Sequence, residues 1–97
     1  MKVETKSGFK CNVDERRLKD WRYVKAASKI NGGNEEEILS GITFAIPFLL
    51  GEEGENALME HIEENGTVDT ERMLAEFLEI TRIIGEKAKK SQSSLSS

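Results

Sequence analysis

Between Ile38 and Leu50 the chain is apolar around almost the whole circumference of a helix. Ile38, Leu39, Ile42, Phe44, Ala45, Ile46, Phe48, Leu49 and Leu50 leave hardly a polar side. A surface helix carries one apolar stripe, so a helix like this is either central in its own fold or shared with a partner. It is far too short to span a membrane, which takes about 20 apolar residues. Asn34, with Glu37 three residues on, resembles a capping box and sets the start. Pro47 cannot donate a hydrogen bond to Thr43, which predicts a kink or an early stop, and Gly51 is the expected C-terminal stop. The expectation is a helix over about 34–50, with Phe44, Phe48 and Leu50 as candidate partner-binding residues.

The remaining elements must cover that helix. Val3, Thr5, Phe9, Cys11 and Val13 alternate with Lys2, Glu4, Lys6, Lys10 and Asn12. This period of two predicts a β-hairpin over 2–13, with Ser7-Gly8 as a two-residue turn. A lone hairpin is marginal in water, so it must pack on helices. A first helix is expected over about 15–30, with Asp14 as N-cap. Leu18, Trp21, Val24 and Ser28 share one face of it, and Tyr23, Ala27 and Ile30 form a second strip. Arg22, Lys25 and Lys29 run as a basic line between them. Trp21 and Tyr23 are further candidates for partner binding, and Asn31-Gly32-Gly33 breaks the helix. A thin, acidic helix follows over about 52–64, with Ala57, Leu58 and Ile62 as its apolar edge. Asn65-Gly66 makes a turn. The last helix is expected over about 70–88, with Asp69 as N-cap and Val68 and Met73 as a hydrophobic staple. Its stripe is Met73, Phe77, Ile80 and Ile84, widened by Leu74, Leu78 and Ile83. Residues 89–97 read as a flexible, serine-rich tail. The fold expected is mainly α (α+β): one domain over 1–88, a hairpin packed on about four helices.

Charge narrows the classes of function. The chain of 97 residues carries a net −4, unevenly spread. Residues 1–30 hold nine Lys/Arg against four Asp/Glu, a net of +5. Residues 31–80 hold one basic residue and thirteen acids, a net of −12, and residues 81–97 hold four basic and one acidic, a net of +3. Basic and acidic regions can attract each other within a molecule or between neighbours, which predicts self-association. Cys11 is the single cysteine, so no internal disulfide forms and a reducing compartment fits. The opening residues lack an apolar run, which predicts no signal peptide.

Catalytic constellations are not legible. His61 is the only histidine, and its helical neighbours Ala57, Leu58, Glu64 and Asn65 offer no triad partner. It reads as solvent-facing or partly packed. Cys11, between Phe9 and Val13 on the apolar face of a strand, reads as a core residue. Residues 66–73 have the look of the second half of an EF-hand loop. Placing Gly66 at the obligatory glycine puts Arg72 where calcium needs a bidentate carboxylate, so the segment reads as a turn and helix cap. Gly32-Gly33 and Gly51-Glu52-Glu53-Gly54 lack the Lys-Ser/Thr of a phosphate-binding loop, and no Cys/His cluster suits zinc. The basic stretch 16–29, with Trp21 and Tyr23, admits a second function, a small nucleic-acid-binding regulator. Asp20 interrupts it and the pI is near 5.1, which disfavours nucleic acid as the partner. The reading is a protein-binding domain, not an enzyme, with no cofactor.

The order of segments carries a family likeness. The hairpin precedes Leu18-Lys19-Asp20-Trp21-Arg22-Tyr23-Val24, then Leu49-Leu50-Gly51-Glu52-Glu53-Gly54 and Leu58-Met59-Glu60-His61. Asn65-Gly66-Thr67-Val68 and Glu71-Arg72-Met73-Leu74-Ala75-Glu76-Phe77 follow, before the serine-rich end. This order, over about residues 2–85, resembles the small tail assembly chaperones of long-tailed bacteriophages, particularly those infecting Gram-positive bacteria. The resemblance implies a protein that binds the tape measure protein, keeps it soluble and recruits tail tube subunits. It implies work in the host cytoplasm and absence from the mature virion. Many such chaperones are made in two lengths by a translational frameshift, and this chain would be the short form. The family has no catalytic residues to carry over. Gly32-Gly33 and Pro47 depart from its pattern.

Overall fold

The computed structural model describes the backbone of residues 1–96 and the side chains of residues 1–88; the backbone over 89–96, expected as a flexible tail, continues the last helix beyond its expected end at 88, and Ser97 lies outside the described residues. The element order is β1 (Lys2–Glu4), β2 (Lys10–Asn12), a short 3-10 turn (Glu15–Lys19), α1 (Trp21–Gly32), α2 (Glu35–Ile62) and α3 (Thr70–Ser96). The fold is mainly helical, with one two-stranded antiparallel sheet in which Val3 faces Cys11. Among the described residues no helix is long and apolar enough to cross a membrane.

The hairpin forms where its alternation places it, but its turn differs from the two-residue Ser7-Gly8 expectation. The Gly8 N–H donates to the Thr5 carbonyl, and the Thr5 N–H donates to the Phe9 carbonyl. Lys6 and Ser7 are therefore the turn centre, and Gly8, at φ 93°, is the left-handed bulge residue after it. Val3, Phe9 and Val13 are buried, and Cys11 is half-buried.

The first helix begins later than expected. Asp14 does cap a helical turn, accepting from the Arg16 N–H, but that turn is 3-10 and ends at Lys19. Asp20, extended at φ −71° and ψ 134°, then starts α1 by accepting from the Arg22 N–H. Two Asp residues six positions apart each capture the amide two residues on, so one periodic pattern becomes two elements. The strip that faces the core is Tyr23, Ala26, Ala27 and Ile30, while Trp21 and Val24 point outward.

The two helices expected over 34–50 and 52–64 run on as one span, α2, interrupted by non-helical backbone at Gly51, so three helical spans stand where four were expected. The capping box is present in full: Asn34 Oδ1 accepts from the Glu37 N–H, and Glu37 Oε1 accepts from the Asn34 N–H. Of the kink or early stop expected at Pro47, the stop does not occur. Helical dihedrals continue past it, and the break comes at Gly51, at φ 78° and ψ 168°. Thr43, whose carbonyl Pro47 leaves without its helical donor, lies on the exposed side where water can supply one. The span ends at Ile62 rather than 64 because Glu64 pairs with Thr67 across an Asn65-Gly66 turn, both central residues at positive φ.

α3 begins under its expected cap, with Asp69 Oδ2 accepting from the Arg72 N–H at 3.0 Å. Phe77, Ile80 and Ile84 from its stripe join Ile42, Ala45, Ile46, Leu49, Leu58 and Ile62 of α2 in one core. Val68, Met73, Leu74 and Ile83 pack at its margin. Leu78, expected to widen the stripe, is 49% exposed instead. Burying side chains of this size is worth about 1.5–3 kcal/mol each, and it sets the packing of the three helices and the hairpin.

Candidate functional site

α1 and α2 lie side by side, and one place lets them come close. A Cβ on Gly41 would stand 2.8 Å from the Ala26 carbonyl oxygen and 2.9 Å from Ile30 Cγ1, so only glycine fits there. The side chains flanking that close approach leave an open groove of about 270 Å³. Its α1 wall is Arg22, Lys25, Ala26 and Lys29, and its α2 wall is Ser40, Gly41 and Phe44. The basic line read at positions 22, 25 and 29 is thus one bank of a groove rather than a solvated face alone. The spacing signalled the line. Nothing in the sequence signalled that Ser40 and Gly41 would stand opposite.

The aromatic residues extend this surface. Phe44 is 40% exposed and stacks on Phe48, with ring centroids 5.2 Å apart and planes at 21°. The guanidinium groups of Arg17 and Arg22 each lie 5.2 Å from the Phe48 centroid. Arg17 Nη1 also donates to the Phe48 carbonyl at 3.0 Å. Such cation–π contacts hold the ring pair in place and put positive charge at its edge. Trp21, 72% exposed, stands one helical turn before Lys25. Of the five candidate partner-binding residues, Phe44 and Phe48 meet, and Trp21 is exposed near the basic line. Tyr23, Phe48 and Leu50 are half-buried and pack against the core. Burial raises the Tyr23 phenol above its ordinary range.

Charge in this region is partly spent internally. Asp20 takes both Nε and Nη2 of Arg22, at 3.0 and 2.9 Å. That guanidinium, together with the Arg22 backbone N–H, holds the Asp20 carboxyl at about 2. Asp14 engages Arg16 in the same way and is likewise lowered. Among the described residues, Lys25 and Lys29 form no ion pair.

A second polar cluster sits at the tip of the hairpin, and its members are far apart in sequence. Ser7 Oγ lies 2.9 Å from His61 Nε2 and donates to Glu76 Oε1 at 2.6 Å. Thr5 Oγ1 also donates to Glu76, and the Lys6 N–H donates to Glu79 Oε2 at 2.7 Å. His61 packs its ring against Phe9 at 5.5 Å. A serine, a histidine and a carboxylate together invite comparison with a nucleophile and its base. In that arrangement the imidazole takes the hydroxyl proton and the carboxylate holds the far ring nitrogen. Here the carboxylate accepts the hydrogen bond of the serine hydroxyl directly, leaving Ser7 Oγ to accept from the imidazole. The geometry ties the turn to α2 and α3, and it does not activate Ser7.

Cys11, paired with Val3 on the core-side face of the hairpin, borders an open cleft with Lys2, Lys10 and Lys87. Half-burial raises its thiol above the ordinary range, so the nucleophilic thiolate is scarce at neutral pH.

No protein-family model, no curated protein and no solved structure matches this chain.

Proposed function

We propose that this chain is an assembly chaperone of the long-tailed phage type, which binds the tape measure protein and helps recruit tail tube subunits. Two things support the reading: the order of segments from the hairpin to Phe77, and an apolar surface offered to a partner. The observation that carries it is the placement of Phe44, Phe48 and Trp21. Phe44 and Trp21 are exposed, while Phe48, half-buried against the core, stacks on Phe44 under the guanidinium groups of Arg17 and Arg22. Exposed apolar surface rimmed by charge is the mark of a protein-binding site, and an amphipathic helix is a natural cover for it. Self-association and action in the host cytoplasm belong to the same proposal.

The test is co-expression with the long helical protein encoded in the same genome. Co-elution, and a client held soluble that otherwise precipitates, is the expected result. A wild-type chain that neither co-elutes with nor solubilises that client contradicts the reading.

The basic line favours a second reading, a nucleic-acid-binding regulator acting through residues 16–29. Two of that segment's cations are already paired with nearby acids, Arg16 with Asp14 and Arg22 with Asp20. Of the six cations in the segment four stay outside ion pairs among the described residues, which limits the counter-ion release available to drive binding. A mobility shift of DNA or RNA that weakens steeply with salt would favour it over the chaperone.

A further inference from the structure

We infer that the groove between α1 and α2 receives an acidic, amphipathic helix of the partner. Carboxylates of that helix meet Lys25 and Lys29, and its apolar side chains cover Phe44. The proposal rests on the chaperone reading and adds the site and the chemistry of what fills it.

Three observations select the occupant. The first is register. Arg22, Lys25 and Lys29 follow one another at i, i+3 and i+7 along α1, the spacing at which one face of a second helix can present carboxylates. Arg22 is held by Asp20, so the cations open to a partner are Lys25 and Lys29. The second is the mixed character of the walls. Ala26 and Phe44 line the groove together with the cations, so a ligand that is only charged leaves the Phe44 ring in water. The third is the end of the groove near Lys29. The Glu37 side chain and the Lys29 carbonyl both crowd Gly33, whose N–H donates to that carbonyl, and Glu35 and Glu36 stand beside Glu37 in sequence. A phosphate backbone carries charge at every nucleotide and meets these acids head-on. A helix chooses its residues, and can place a neutral one there. Shape agrees, because Gly41 brings the two helix axes together and leaves a shallow furrow rather than a closed pocket.

The probe is a synthetic amphipathic helix of about 20 residues, long enough to hold helical structure, with Glu at i, i+3 and i+7 and Leu on the adjoining face. Its binding to the full chain is followed by fluorescence anisotropy. Saturable binding is expected, weakened at least about tenfold by the paired reversals Lys25→Glu and Lys29→Glu, and likewise by Phe44→Ala. A probe with Lys in place of Glu is expected to miss the wild-type chain and to bind the reversed one. That rescue shows the reversed chain to be folded. Three results overturn the proposal: binding of the Glu probe that ignores the reversal, an oligonucleotide outcompeting the Glu probe at equal concentration, and a wild-type dimer that the reversal dissociates. The last would mean that a second copy's acidic half fills the groove. Failure here is separable from failure of the chaperone reading. If the reversed chain still co-elutes with the tape measure protein, the groove assignment falls and the function stands. If the probe binds as expected while the wild-type chain ignores the tape measure protein, the groove assignment stands and the function falls.

Discussion

Asp20 does three jobs with one carboxylate. It caps α1, pairs with Arg22, and so helps steer the Arg22 guanidinium over Phe48. Its carboxyl is held at about 2, against an ordinary 3.8, first by the hydrogen bonds from the Arg22 side chain and then by that from its backbone N–H. A carboxyl lowered in the folded state stabilises it fully above the unfolded value, and the contribution fades as pH falls from about 3.8 towards about 2. The Asp20 carboxyl carbon, followed by NMR, should therefore titrate near 2 in the wild-type chain and move up towards 3.8 in Arg22→Ala. A wild-type midpoint at 3.8 would mean that the pair does not form in solution. The cap was visible in the sequence only in hindsight. Asp20 sits inside a run of helix-period residues, and the stronger signal, Asp14 before Glu15, is real but starts a different turn. The Ser7–His61–Glu76 cluster was less visible still. Its members lie 54 and 69 positions apart, and no local spacing can announce a contact that three packed elements create.

At the scale of elements, two glycines of α2 decide how the helices meet. Gly41 allows α1 to approach, and a methyl group there runs into the Ala26 carbonyl and Ile30. Gly41→Ala should cost about 1–3 kcal/mol, the usual penalty for overpacking, read as a lowered urea midpoint with an unchanged slope. Gly51 has open space around it, but its φ of 78° with ψ of 168° is a region that only glycine occupies comfortably. Gly51→Ala should cost a similar amount, about 1–3 kcal/mol, by backbone strain alone. A stability unchanged in either variant would contradict the geometry at that glycine. Local chemistry made much of this layer legible. The alternating hairpin, the Asn34–Glu37 box, the Asp69 cap and the Asn65-Gly66 turn follow from side chains acting on their own backbone. The break at Gly51 was legible too, though as an end rather than a bend. What composition could not resolve was which strip of α1 faces inward. Trp21 with Val24 and Tyr23 with Ile30 are similarly apolar, and only packing against Gly41 settles that the second strip goes in.

At the scale of the whole molecule, charge and apolar surface are sorted together. The acids crowd α2 beyond its bend, while the cations of α1 border the Phe44–Phe48 pair. A chain built only to be stable has little reason to keep aromatic rings at that boundary, and one built to hold a helix does. The central claim is that this face is where the partner sits. Trp21 is the only tryptophan, it is exposed, and it stands one helical turn before Lys25 of that face. Iodide quenching of its fluorescence, measured with and without the bound client, tests the claim directly. The account predicts ready quenching in the free chain and marked protection in the complex. A complex that forms while Trp21 stays as open to iodide as before would contradict it.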